Sequence, residues 1–220
     1  MNQSGMLSAE NGGEKMLENT ALTKTNGGDE RDFARLRQAY AEEADPVGTL
    51  PEPRPEGVAA VLMDKLGERL AFERSGVRLY DSLMVKCAAD KSVKIPAKDL
   101  RHIRDEEAVH FALVGAAIQS LGGDPTAQTP SADVAGVEGM GLAQVLWDPK
   151  TTLAQALHAI LVAELTDNAA WDELIELTSH AGNEDLVKRF TKAREEEREH
   201  LEKVHGWYKA ASLSAANAGQ

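Results

Sequence analysis

From Gly57 onward, apolar and polar residues alternate in the three- and four-residue steps of an α-helix, with no convincing two-residue alternation of a half-buried strand. Four long segments carry this pattern, at roughly 57–88, 97–121, 151–180 and 183–211. Their ends are punctuated. "AADKSVKIP" follows the first, "GGDP" stops the second, and "HAGNED" separates the last two, with Gly182 placed to cap one helix and Asn183 to begin the next. The glycine- and proline-broken stretch 122–150 predicts one short helix at about 139–147. The expectation is an all-α fold of two helical hairpins joined by one long crossover.

In a packed bundle each helix turns one seam to the core, with residues recurring at steps of four and three. The first seam reads Ala59, Met63, Leu66, Leu70, Glu73, Val77, Tyr80, Met84, Cys87. The second reads Leu100, Ile103, Glu107, His110, Val114, Ala117, Leu121, and the third Leu153, Leu157, Ile160, Glu164, Asp167, Trp171, Leu174. The fourth reads Leu186, Phe190, Ala193, Glu197, His200, Val204, Trp207. Every seam is apolar at both ends and polar near its middle.

An unpaired carboxylate in a dry core loses either its charge or several kcal/mol of stability. Four or five of them converging would need compensation, which bound cations supply through their own charge. One Glu from each of two helices plus Glu-x-x-His from each of the other two is a ligand set for two ions. The three-residue spacing puts carboxylate and imidazole one turn apart on the same face. Glu73 and Glu107 are 34 residues apart, Glu164 and Glu197 are 33 apart, and Glu107 and Glu197 each open a Glu-x-x-His. The two hairpins therefore form a quasi-repeat.

Composition narrows the function. The chain has 220 residues, enough for a sizeable core without staples, and 36 acidic against 24 basic residues. A formal charge of −12 argues against nucleic acid or an anionic membrane surface as the main partner. The single cysteine, Cys87, allows neither an intramolecular disulfide nor a four-cysteine iron site, and fits a reducing compartment. No stretch reads as a secretory signal or a membrane span, so a cytoplasmic protein is expected. Residues 1–55 are polar, carry ten acidic and six basic residues, and predict a flexible tail in which "ERDFARLRQAYAEEA" could form a short helix. The helical domain is expected over 56–212, and a disordered end over 213–220.

At these residues the sequence resembles the ferritin-like superfamily, the group that holds bacterioferritins and rubrerythrins. The resemblance rests on "FERSGVRLY", "RDEEAVHF", "AELTDNAAW" and "EEREHL", and covers about 57–211. It implies a ferritin-like four-helix bundle with two iron ions, or a manganese–iron pair, held by Glu73, Glu107, His110, Glu164, Glu197 and His200. Glu107 and Glu197 would bridge, Glu73 and Glu164 would be terminal, and each His would bind one metal through one ring nitrogen. Asp167 resembles the additional carboxylate of rubrerythrins, as an extra ligand or an outer neighbour. Tyr80 is expected to pack in the core with its hydroxyl toward the acids, and a redox role is the alternative.

The other histidines, His102, His158, His180 and His205, fall beside the seams or near a helix end, and Glu68, Glu106, Glu195, Glu196 and Glu199 read as solvated. The implied activity is redox chemistry with O2 or hydrogen peroxide, drawing on an external electron donor, in a protein expected to be a homodimer. Iron storage in a cage, oxygenation of an organic substrate and a bundle with a degenerate site are the alternatives.

Overall fold

The computed structural model describes residues 57–217. They form five helices and, among the described residues, no strand: α1 (Val58–Ala89), α2 (Ala97–Ser120), α3 (Pro130–Trp147), α4 (Leu153–His180) and α5 (Glu184–Asn217). The predicted tail 1–55 lies outside the described residues. No helix among the described residues is long and apolar enough to cross a membrane.

Local chemistry sets the boundaries. Gly122 and Gly182 take φ of 82° and 75° just past the ends of α2 and α4, a backbone region that costs glycine little. Thr152 begins α4 with a reciprocal capping box to Gln155, and Asn183 Oδ1 accepts the Leu186 N–H at 3.1 Å to begin α5. The four long helices lie side by side, each antiparallel to its neighbours. Arg104 reaches Asp81 across α1 and α2, Arg194 reaches Asp172 across α4 and α5, and Tyr80 reaches Glu164 across α1 and α4.

Three expectations need correction. The crossover carries an 18-residue helix rather than a single short one. Gly136, Gly139 and Gly141 hid it, because glycine lowers helix propensity; yet Thr129 caps it and Pro130 occupies its first turn. It runs parallel to α1, from Ser131 on Asp64 to Trp147 Nε1 donating to Ser82 Oγ. Gly67 permits this approach: a Cβ there would lie 3.0 Å from Thr129 Cβ and closer still to its hydroxyl. Second, α5 continues through 213–217, where Ala211 is buried and Ser214 Oγ donates to Ser92 O, so its last turns pack on the α1–α2 loop.

Third, the buried face of α1 is Leu62, Leu66, Arg69, Glu73, Gly76, Tyr80 and Leu83, whereas Ala59 is exposed and Met63, Leu70, Val77, Met84 and Cys87 are half-buried. Covering by α3 makes α1 bury a second face, through Gly67 and Ala71. Apolar residues alone then fit more than one stripe. The other three seams hold, apart from the exposed Leu121 and the half-buried Trp207.

The core has two main clusters. Leu79, Leu83, Leu100, Ile103, Leu153, Leu157, Ile160 and Val204 fill one, and Leu62, Leu66, Val114, Ala117, Trp171, Leu174, Leu186 and Phe190 the other. Between them lies a polar layer.

Candidate metal centre

That layer contains Glu73 from α1, Glu107 and His110 from α2, Glu164 and Asp167 from α4, and Glu197 and His200 from α5, each at most 3 % exposed. All six predicted ligands and Asp167 are therefore brought to one level of the fold. Ligand atoms of Glu73, His110 and Glu197 lie within 4.8 Å of one another, and so do those of Glu107, Glu197 and His200. Glu197 belongs to both groups: its Oε1 is 2.6 Å from His110 Nδ1 and its Oε2 is 2.9 Å from His200 Nδ1. Glu107 enters only the second group, with Oε1 3.6 Å from His200 Nδ1. Glu164 enters neither; the Tyr80 hydroxyl donates to its Oε1.

Both imidazoles present Nδ1 inward and Nε2 outward. Glu196 Oε2 is 3.0 Å from His110 Nε2, and Glu106 Oε2 is 2.9 Å from His200 Nε2. Glu106 and Glu196 are thus half-buried partners of the histidines, not the solvated residues expected from the sequence. Each precedes a Glu-x-x-His by one position and reaches across to the other hairpin's histidine. That pairing between hairpins gave no periodic signal; the parallel acids at 106 and 196 were its only trace. Glu195 and Glu199 are exposed, Glu68 pairs with Lys65 at 2.8 Å, and His102, His158, His180 and His205 all lie on the surface.

Three further residues escaped the seam pattern. Arg69 is 2 % exposed, with Nη1 paired to Asp167 Oδ1 and donating to Asp167 O at 3.1 Å. Its Nε lies 3.3 Å from Glu73 Oε1 but out of line for a hydrogen bond, so this attraction is chiefly coulombic. The Asn168 amide donates to Glu164 O at 2.9 Å and to Glu197 O at 3.0 Å. Gly76 lies under Glu107, where a Cβ would stand 2.9 Å from its Cδ. A charged, a polar and a side-chain-free position are all invisible to a count of apolar residues.

The electrostatics are severe. Burial raises the Glu73, Glu164 and Glu197 carboxyls well above the usual range, and neighbouring carboxylates push the same way. Arg69 pulls Glu73 back, and His200 and Tyr80 pull Glu164 back. Burial alone would lower His200, but Glu107, Glu164 and Glu106 outweigh it and raise it to about 9. Burial and the Glu164 charge lift Tyr80 well above its ordinary value. Such a cluster holds either protons or cations.

Glu73 Oε1 and Oε2, Glu164 Oε2 and both Asp167 carboxylate oxygens are buried without an aligned hydrogen bond from the chain. Oxygen donors with two imidazoles suit iron or manganese, and this set could hold two ions sharing Glu197. A surface cavity of about 420 Å³ between α2 and α5 reaches the layer, lined by Val109, Leu113, Arg189 and Lys192 and by His110 and Glu196 themselves. A larger one, about 620 Å³, is lined by Leu142, His158, Tyr208 and neighbours but by none of the candidate ligands. No family model, no curated protein and no solved structure matches the chain.

Proposed function

We propose that this chain is a di-metal carboxylate protein of the ferritin-like kind, holding two iron ions or a manganese–iron pair and reducing O2 or hydrogen peroxide with electrons from an external donor. One observation carries the reading. Buried carboxylates meet from all four long helices, those of Glu73, Glu164 and Asp167 keep oxygens without a hydrogen bond, and the two candidate ligand groups share Glu197.

A bound pair would supply two electrons to one dioxygen unit and polarise it. The chain's own residues do the rest. Glu197 joins the two positions, while Glu196 and Glu106 hold Nε2 of His110 and His200 and so aim Nδ1 inward. Glu196 also contacts Lys192 Nζ through Oε1 at 2.5 Å, giving a proton a route from the surface cavity to His110 Nε2. Tyr80 donates to Glu164 Oε1 and so fixes the orientation of that carboxylate.

Metal analysis after anaerobic Fe(II) loading tests the reading, with two ions per chain expected; well under one would overturn it. Stopped-flow absorbance after mixing the Fe(II) form with O2 or peroxide then tests the chemistry, and inertness to both would remove the redox part. Light scattering tests the proposed homodimer against a cage.

A further inference from the structure

The two halves of the polar layer are related by the quasi-repeat, which makes their differences informative. An offset of 91 residues carries Glu73 onto Glu164, and the same offset carries Arg69 onto Ile160, Gly76 onto Asp167 and Tyr80 onto Trp171. Beside Glu164 stands a neutral donor, the Tyr80 hydroxyl. Beside Glu73 stands a fixed cation. Arg69 is sealed there with its guanidinium carbon 4.3 Å from the Phe72 ring centroid and 5.9 Å from that of Trp171, and guanidinium cannot deprotonate in a protein.

One positive charge is shared between two acids. The ion pair with Asp167 withdraws that carboxylate from the ligand set, and the contact with Glu73 Oε1 leaves Oε2 as the oxygen facing His110 Nδ1, at 3.9 Å. Ile160 and Gly76, at the equivalent places in the other half, bring no charge. Glu164 there has no guanidinium beside it and keeps a free Oε2. A divalent ion entering the Glu73 half meets a weakened carboxylate and a like charge in low dielectric.

On the di-metal reading proposed above, we infer that the two positions are unequal and fill in order. The position served by Glu107, Glu164 and His200 binds first, that of Glu73 and His110 second, and Arg69 with its partner Asp167 sets the gap. Arg69 is a positioning residue that acts through Glu73 and Asp167.

Mn(II) alone is the probe, titrated calorimetrically and followed by electron paramagnetic resonance. The native chain should show two dissociation constants about tenfold or more apart. The first equivalent should give the signal of an isolated Mn(II) and the second that of a coupled pair. His200→Ala should remove the tight phase and His110→Ala the weak one; the reverse overturns the order. Arg69→Leu should close the gap, while Arg69→Lys, which keeps the charge, should retain it; a gap lost equally in both overturns the charge argument. Should Arg69→Leu not fold, Arg69→Ile with Asp167→Asn removes both charges together and should close the gap equally. Equal constants in the native chain, or a gap surviving every uncharged variant, overturn this inference and leave the metal reading standing. Absence of any binding of Mn(II) or Fe(II) overturns both.

Discussion

The Glu107 carboxylate lies against the bare backbone of Gly76. A methyl group there would displace the flexible tip of a side chain and leave the helix itself undisturbed. Ala also favours a helix interior over Gly by about 1 kcal/mol. Gly76→Ala should therefore keep or raise the melting temperature of the metal-free protein while lowering metal affinity tenfold or more. Calorimetry and metal titration on the same sample read the two effects; a loss of both together would mean that Gly76 serves packing alone.

Removing the Tyr80 hydroxyl leaves Glu164 Oε1 buried without its donor. An orphaned buried acceptor costs about 1–3 kcal/mol. Tyr80→Phe should lower the melting temperature of the metal-free protein by several degrees, and metal should recover part of the loss because Glu164 gains a new partner. Scanning calorimetry with and without Mn(II) checks this, and an equal loss in both states would argue against Glu164 as a ligand.

The two acids preceding the Glu-x-x-His motifs divide from their exposed neighbour. Losing the outer partner of a ligating histidine typically costs about 10–100-fold in metal affinity. Glu196→Ala and Glu106→Ala should each fall in that range, whereas Glu195→Ala should bind as the native chain does. If all three bind alike, the contacts at Nε2 do not orient the rings.

Acidity should govern both stability and loading, in opposite senses. His200, raised to about 9, stabilises the metal-free fold fully below its unfolded value of 6.5 and loses that contribution as pH rises through 9. The raised carboxyls of Glu73, Glu164 and Glu197 act in the same direction, since the folded state holds their protons longer than the unfolded chain. Melting temperature without metal should fall between pH 6.5 and 9. Metal must displace those protons, so its affinity should rise over the same interval, with proton release measurable in weakly buffered solution. A metal-free melting temperature that climbs with pH would contradict the assignment.

Much of the buried polar layer was legible because the same periodicity that places Leu157 and Ile160 in the core also places Glu164 there, and a charged residue on an apolar stripe calls for a reason. The second, third and fourth helices showed this directly. The first did not, since Arg69 and Gly76 interrupt its true stripe and the covering helix α3 adds a competing one. Helix α3 itself was largely hidden by its glycines, whose low propensity is outweighed by packing against Ala71 and Ser75. Contacts between hairpins, such as Glu196 with His110, depend on how two helices are set side by side, and no single helix's pattern records that.

The Asn168 amide holds two main-chain carbonyls from different helices at the level of the centre. Sliding α4 along α5 would break the bond to Glu197 O inside a dry core, so the backbones carrying Glu164 and Glu197 travel together as one rail. On the proposed di-metal reading, a change of coordination would then come from carboxylates swinging about their own side-chain bonds. Across that pair of helices the frame would stay still while the carboxylates turn.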